Sequence, residues 1–264
     1  MGKLAFVVAV SLLLCACGQH AAAPAGQVAS AQSSAAAAQP VVNDQPEQMV
    51  PPLSAGQLAA QRMDQVLAGS WRSDAAKARD KYRHPRRTLA FFGLRPDMKV
   101  IEIIPGGGWY ASILAPLLKD NGSYTAAVIS PLSGKEAAQD LDALRARFAA
   151  NPEVFGKAHI IQFDPDTPNL GTPGSVDMVL TFRNAHNWTD AGTASAMFKA
   201  FHDVLAPGGV LGVVDHRAAD GASLDSVKGS GYLPQDYVIK LATDAGFKLD
   251  AKSEVNGNAD DTKD

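Results

Sequence analysis

Arg183, Asn184, His186, Asn187 and Trp188 crowd into six residues directly after the apolar run Val176–Phe182, and Asp215, His216 and Arg217 follow a second apolar run, Val210–Val214. Polar clusters at the ends of apolar runs rarely serve packing alone. An imidazole such as His186 exchanges a proton near neutral pH, and a carboxylate such as Asp215 orients it. An amide such as Asn184 orients a substrate group by hydrogen bonds. If the two runs are neighbouring strands, His186, Asp215 and His216 converge. They then form a general base with its orienting partner or, using both histidines, a divalent-metal site, although no ligand spacing specifies a metal. The structural alternative is a capped loop ahead of a helix, with Asp190 near its start.

A second constellation lies upstream. Val100–Ile104 is a β-branched, apolar run containing Glu102; Pro105, Gly106, Gly107 and Gly108 follow, and Ile113, Leu114, Leu117 and Leu118 then fall at helical spacing. A strand that turns through glycines into a helix lets backbone approach a ligand and offers it unpaired N–H groups, which suits a nucleotide-type molecule. A tight structural turn with Glu102 capping it is the alternative.

These residues need a scaffold that brings strand ends together. Strands are expected at Tyr124–Ile129, His159–Phe163, Val176–Phe182, Val210–Val214 and Phe247–Val255, besides the run before the glycines. Helices are expected at Gln57–Ala68, Ser73–Lys81, Arg87–Phe92, Lys135–Ala150, Ala191–Leu205 and Gln235–Ala245. The alternation predicts an α/β, Rossmann-like doubly wound, mostly parallel sheet with helices on both faces. Pro165–Ser175, rich in Pro and Gly, leaves little room for a helix between the third and fourth strands. In such sheets ligands bind beyond the carboxyl ends of the strands, where strand order reverses. At the second strand's end, where a ribose-binding acid normally stands, the chain reads Ala126-Ala-Val-Ile-Ser-Pro131, so Ser130 alone offers a hydrogen bond. After the third strand stands Asp164, which is equally an ordinary turn former.

Glu102-x-x-x-Gly106-x-Gly108 resembles the first motif of class I S-adenosylmethionine-dependent methyltransferases, E-x-G-x-G-x-G, with Ile104 where that motif has its first glycine. The chain is similar to an exported bacterial group of methyltransferase-like proteins in Phe92-Gly-Leu-Arg-Pro96, Ile104-Pro-Gly-Gly-Gly-Trp-Tyr110, Leu180-Thr-Phe-Arg-Asn-Ala-His-Asn-Trp188 and Val214-Asp-His-Arg217. The resemblance implies S-adenosylmethionine as cofactor, its methionine end near Glu102 and Gly106–Gly108 and its adenine near Asp164. It also implies an unknown small-molecule acceptor beside Asn184 and His186. That family ends on an antiparallel hairpin, so the strand Phe247–Val255 is expected to lack its partner and leave the hairpin incomplete. A non-catalytic binding protein on the same scaffold is the competing expectation. A hydrolase is disfavoured, since no G-x-S-x-G elbow is present.

The N-terminus addresses the chain. Lys3 precedes the apolar run Leu4–Leu14, too short to span a membrane and suited to a signal h-region. Leu14-Cys15-Ala16-Cys17 resembles a bacterial lipoprotein box, which makes residues 1–17 a signal with Cys17 as the lipidated residue; an ordinary cleaved signal is the alternative. Gly18 after it resembles the pattern for outer-membrane delivery, giving a periplasm-facing protein held to the membrane by lipid on Cys17. Residues 18–55, mostly Ala, Gln, Ser and Pro, read as a tether, and 56–264 as one domain. A net charge of −3 without a basic stripe argues against nucleic acid as a partner.

Overall fold

Seven strands and ten helices are present in the computed structural model, which describes residues 54–263 and the backbone of one strand, Lys3–Ala9. Cys17 and the expected tether up to residue 53 lie outside the described residues. The strands are β1 Lys3–Ala9, β2 Lys99–Ile103, β3 Ser123–Ile129, β4 His159–Phe163, β5 Val176–Phe182, β6 Leu205–Asp215 and β7 Lys248–Asn256. They form one sheet in the order β4-β3-β2-β5-β6-β1-β7, parallel throughout.

The helices are α1 Ala55–Ala68, α2 Asp74–Ala78, α3 Asp80–Arg83, α4 Pro85–Phe91, α5 Ala111–Leu118, α6 Lys135–Ala149, α7 Pro152–Phe155, α8 Ala185–Ala191, α9 Ala194–Val204 and α10 Gln235–Asp244. Strand alternation divides their apolar faces between two cores. Val100, Leu180 and Val128 pack with Leu114, Leu118 and Leu144 on one side. Ile101, Ile103 and Val213 pack with Phe198, Phe201 and Leu241 on the other. Glu102, two residues from Val100, is thereby forced onto the first core face and left 2% exposed. From β2 the chain steps outward to β3 and β4, then returns to β5 on the far side of β2. The reversal between β2 and β5 is the switch point at which such sheets open a crevice.

Two expectations change. Ser73–Lys81 forms two short helices, α2 and α3, with Arg79 between them. The Ala191–Leu205 helix begins only at Ala194, and the polar run ahead of it, expected as loop, is the separate helix α8, closed by Gly192 at φ +75°. β7 lies beside a parallel strand instead of an antiparallel one: β1 runs between β6 and β7, pairing Val8 with Asp215 and Lys3 with Lys248. A short apolar run rich in Val and Phe satisfies a signal h-region and a buried parallel strand alike, because both demand continuous apolar character. A chain processed before Cys17 would not carry this strand. The hairpin expected to be incomplete has no antiparallel second strand among the described residues, and no described helix is long and apolar enough to cross a membrane.

Candidate functional site

The turn from β2 into α5 is held in a strained form. Ile104 has φ +48°, a left-handed conformation that β-branched residues rarely adopt. Such a residue costs on the order of 1–3 kcal/mol and persists only where its surroundings over-determine it. Here Ile104 N–H donates to the Ala127 carbonyl at 2.8 Å. The Asn184 amide donates to the Ile103 carbonyl at 3.0 Å, to that of Ile104 at 3.5 Å and to Thr181 Oγ1 at 3.1 Å. Arg183, at the facing end of β5, is also left-handed, with φ +62°. Gly106 and Gly108, at φ +54° and +72°, complete a turn that side chains would strain. The N–H groups of Gly106 and Gly107 have no partner among the described residues.

Two cavities flank this turn and share Ile104, Pro105, Gly106 and Asn184 as their common wall. The larger, about 750 Å³, has apolar walls at Val128, Ile129 and Leu144 and carboxylates at Glu136 and Asp140. Trp188 Nε1 and Thr193 Oγ1, from residues on its wall, are shielded from solvent and have no hydrogen-bond partner among the described residues. Buried polar atoms are normally paired, so two orphans beside one cavity mark a place for ligand atoms. The smaller cavity, about 460 Å³, is walled by Trp109, Tyr110 and Phe182 and receives Glu102 and the guanidinium groups of Arg79, Arg83, Arg147 and Arg183. The Tyr110 and Phe182 rings stack at 3.5 Å, and Arg83 lies 4.8 Å over Trp109.

Glu102 accepts the Tyr124 hydroxyl at 2.6 Å. Burial pushes its carboxyl up to about 7, against the weaker opposing effects of Tyr124 and Arg83. Burial and the neighbouring Arg183 and Arg79 bring Arg83 down to about 10, and burial lowers Arg183.

The expected convergence of the strand exits occurs. His186 Nδ1 lies 2.7 Å from Asp215 Oδ1, and Asp215 also accepts the backbone N–H groups of His186 at 3.2 Å and His216 at 2.8 Å. The hydrogen bond to Asp215 raises the His186 pKa, whereas burial lowers that of His216. With Nδ1 held by a carboxylate, His186 presents Nε2 as its proton-accepting atom. None of the three lines either cavity, so the dyad stands beside the crevice. No group of three His, Cys, Asp or Glu side chains suited to a metal occurs among the described residues.

The other expected positions divide. Glu102, Pro105, Gly106, Gly107 and Asn184 line the cavities, whereas Gly108 lies against Arg147. Ser130 Oγ caps a short 3-10 turn by accepting Leu132 N–H at 3.3 Å, and Asp164 accepts Asp166 N–H at 2.9 Å, leaving Pro165 and Asp166 on the cavity wall. Glu136 and Asp140 were not singled out in the sequence; their signal was an i, i+4 acidic pair at the start of α6. Arg79 and Arg147 were also missed, each looking like an ordinary helix-surface charge.

No protein-family model matches this chain, and no curated protein matches it. Solved structures do. A SAM-dependent methyltransferase from Aquifex aeolicus is similar with a TM-score of 0.51 and 15% identity, covering 72% of this chain and 90% of that one. Human N-acetylserotonin methyltransferase, solved in complex with SAM, is similar with a TM-score of 0.48 and 16% identity, covering 72% of this chain and 51% of that one. At such identities the likeness speaks to architecture, and the architecture is the class I methyltransferase fold.

Proposed function

We propose that this chain is an S-adenosylmethionine-dependent methyltransferase of the cell envelope, acting on a small molecule and anchored by lipid on Cys17. The observation that carries the cofactor assignment is the larger cavity, with its orphaned Trp188 Nε1 and Thr193 Oγ1, abutting the strained glycine turn at the switch point. The donor set fits the group. Trp188 and Thr193 would hold polar atoms of the nucleoside, and Glu136 or Asp140 would accept from ribose hydroxyls. The free N–H groups of Gly106 and Gly107 would take the carboxylate, and Glu102 would take the ammonium. When bound, S-adenosylmethionine supplies a methyl group on a sulfonium sulfur, which leaves as a neutral thioether. The chain's own residues then contribute chiefly by orientation. Asn184 ties the β5 exit to the glycine turn and sits on both cavity walls. His186 Nε2, set by Asp215, is the nearby proton acceptor. The anchor assignment is supported by the Leu14–Cys17 motif.

A non-catalytic binding protein is the second reading, favoured by the Asp215–His186 dyad standing outside both cavities and by the absence of an acid at Ile129 or Ser130. Calorimetric titration of S-adenosylhomocysteine, followed also by Trp109 and Trp188 fluorescence, separates the two. Micromolar binding, about −8 kcal/mol, is expected. No binding at millimolar ligand would remove the cofactor assignment and leave the second reading.

A further inference from the structure

The arginines of the smaller cavity differ from nearly all the others. Arg62, Arg72, Arg86, Arg95, Arg145 and Arg217 each pair with a carboxylate. Arg79, Arg83, Arg147 and Arg183 line one cavity, and none forms an ion pair among the described residues. They arrive from three separate places: the α2–α3 junction and α3, the α6 face, and the left-handed exit of β5. Arg147 Nε is shielded from solvent and has no partner among the described residues. A Cβ on Gly108 would stand 3.1 Å from Arg147 Cδ and Nε, so the glycine turn is shaped to let this side chain lie against it. The only carboxylate on the same wall is Glu102, already engaged by Tyr124.

Assembling like charges in a half-buried crevice is unfavourable unless an anion offsets it. A guanidinium fork takes one carboxylate or one phosphate face. The single carboxylate of the proposed cofactor therefore engages one arginine at most in that way and leaves the rest unmatched. We propose that this cavity binds the methyl acceptor through its charge, and that the acceptor is a small polyanion with two or more negative charges on clustered phosphate or carboxylate oxygens. The assignment of the anion as methyl acceptor rests on the cofactor reading above; the anion site itself does not. Trp109, Tyr110 and Phe182 supply the apolar part of the lining, against which the acceptor's uncharged part would pack.

Pyrophosphate and citrate are titrated into the full chain by calorimetry, each with and without saturating S-adenosylhomocysteine, and the series is repeated with R79Q/R147Q after its melting temperature is checked. Expected is submillimolar binding of at least one anion, undiminished by S-adenosylhomocysteine and weakened tenfold or more by R79Q/R147Q. The tighter of the two probes distinguishes a phosphate acceptor from a carboxylate one. One-for-one competition with S-adenosylhomocysteine would overturn the proposal, because the arginines would then serve the cofactor's carboxylate. Equal binding by R79Q/R147Q, or none at millimolar anion, would overturn it too. If anions bind and R79Q/R147Q loses them while S-adenosylhomocysteine does not bind, the anion site stands and the cofactor reading alone falls.

Discussion

Glu102→Gln is expected to stabilise the chain by about 3 kcal/mol at pH 8 but only about 1 kcal/mol at pH 5, while weakening S-adenosylhomocysteine binding tenfold or more. Burial pushes the carboxyl from its ordinary value of about 4.5 up to about 7 in the folded chain. Burial is the principal cause, so the folded state prefers the protonated form. Below the unfolded pKa both states carry the proton and nothing is lost. As pH rises from about 4.5 to about 7 the unfolded chain releases the proton and the folded chain keeps it, so stability falls through that window and levels off above it. Glutamine is neutral throughout and retains an oxygen to accept the Tyr124 hydroxyl, so its stability lacks this slope. Denaturant titrations at pH 5 and pH 8 measure the difference, and an equal gain at both values would sink the argument.

Binding is expected to move the opposite way. Glu102 is the carboxylate that faces the smaller cavity beside the unpaired N–H groups of Gly106 and Gly107. Removing its charge leaves a ligand ammonium without a counter-charge in a cavity already rich in guanidinium groups. A buried acid retained at such a cost to stability is what a binding site selects and a folding core does not. A variant that gained stability and kept full affinity would return Glu102 to a structural role.

The legible parts of this chain were those written in local order. β2, β3, β4 and β5 stand out as apolar runs bounded by turn residues, and the Glu102–Gly108 turn announces itself because glycines, strand and helix are contiguous. His186 and Asp215 could be paired because both follow strands expected to be neighbours. The arginine cavity was illegible for the opposite reason. Arg79, Arg83, Arg147 and Arg183 are spread over about a hundred residues; only Arg183 stood in a polar cluster, and the other three sit in contexts that read as solvated charge. In the sequence Arg83, Arg86 and Arg87 lie beside His84, a group that could meet an anion but reads more readily as a solvated basic face. In the structure Arg83 turns to Trp109 and the cavity, Arg86 pairs with Asp64, and His84 Nδ1 meets Asn256 Oδ1 at 3.3 Å. Arg83 ends α3 and Arg86 belongs to α4, with left-handed His84 between them, so charges three residues apart point to different neighbours, and periodicity alone does not say which face meets the sheet edge.

The placement of Arg79 and Arg83 rests on one buried ion pair, and Asp80→Ala is expected to cost about 3–5 kcal/mol. The Arg72 side chain has no exposed surface; it donates to the Leu67 carbonyl at 2.7 Å and to Asp80 Oδ2 at 2.9 Å, makes a second contact to Asp80 Oδ1, and lies 5.4 Å over Trp109. A solvent-exposed pair would contribute about 0–1 kcal/mol. Burial of the guanidinium decides the larger figure, because alanine at 80 leaves a buried cation with one carbonyl for company. Adding Arg72→Met removes that stranded charge, so D80A/R72M is expected to be more stable than D80A alone. Denaturant midpoints of the wild type, both single variants and the double variant close the cycle. A loss below about 1 kcal/mol for D80A, within the range of an exposed pair, or no recovery in the double variant, would show that the pair does not bear on stability. Recovery of stability need not restore the cavity. Asp80 also begins the short helix that presents Arg83, and methionine at 72 cannot hold it by charge. D80A/R72M is therefore expected to fold well yet bind pyrophosphate several-fold more weakly than the wild type, separating what holds the fold from what aims the arginines.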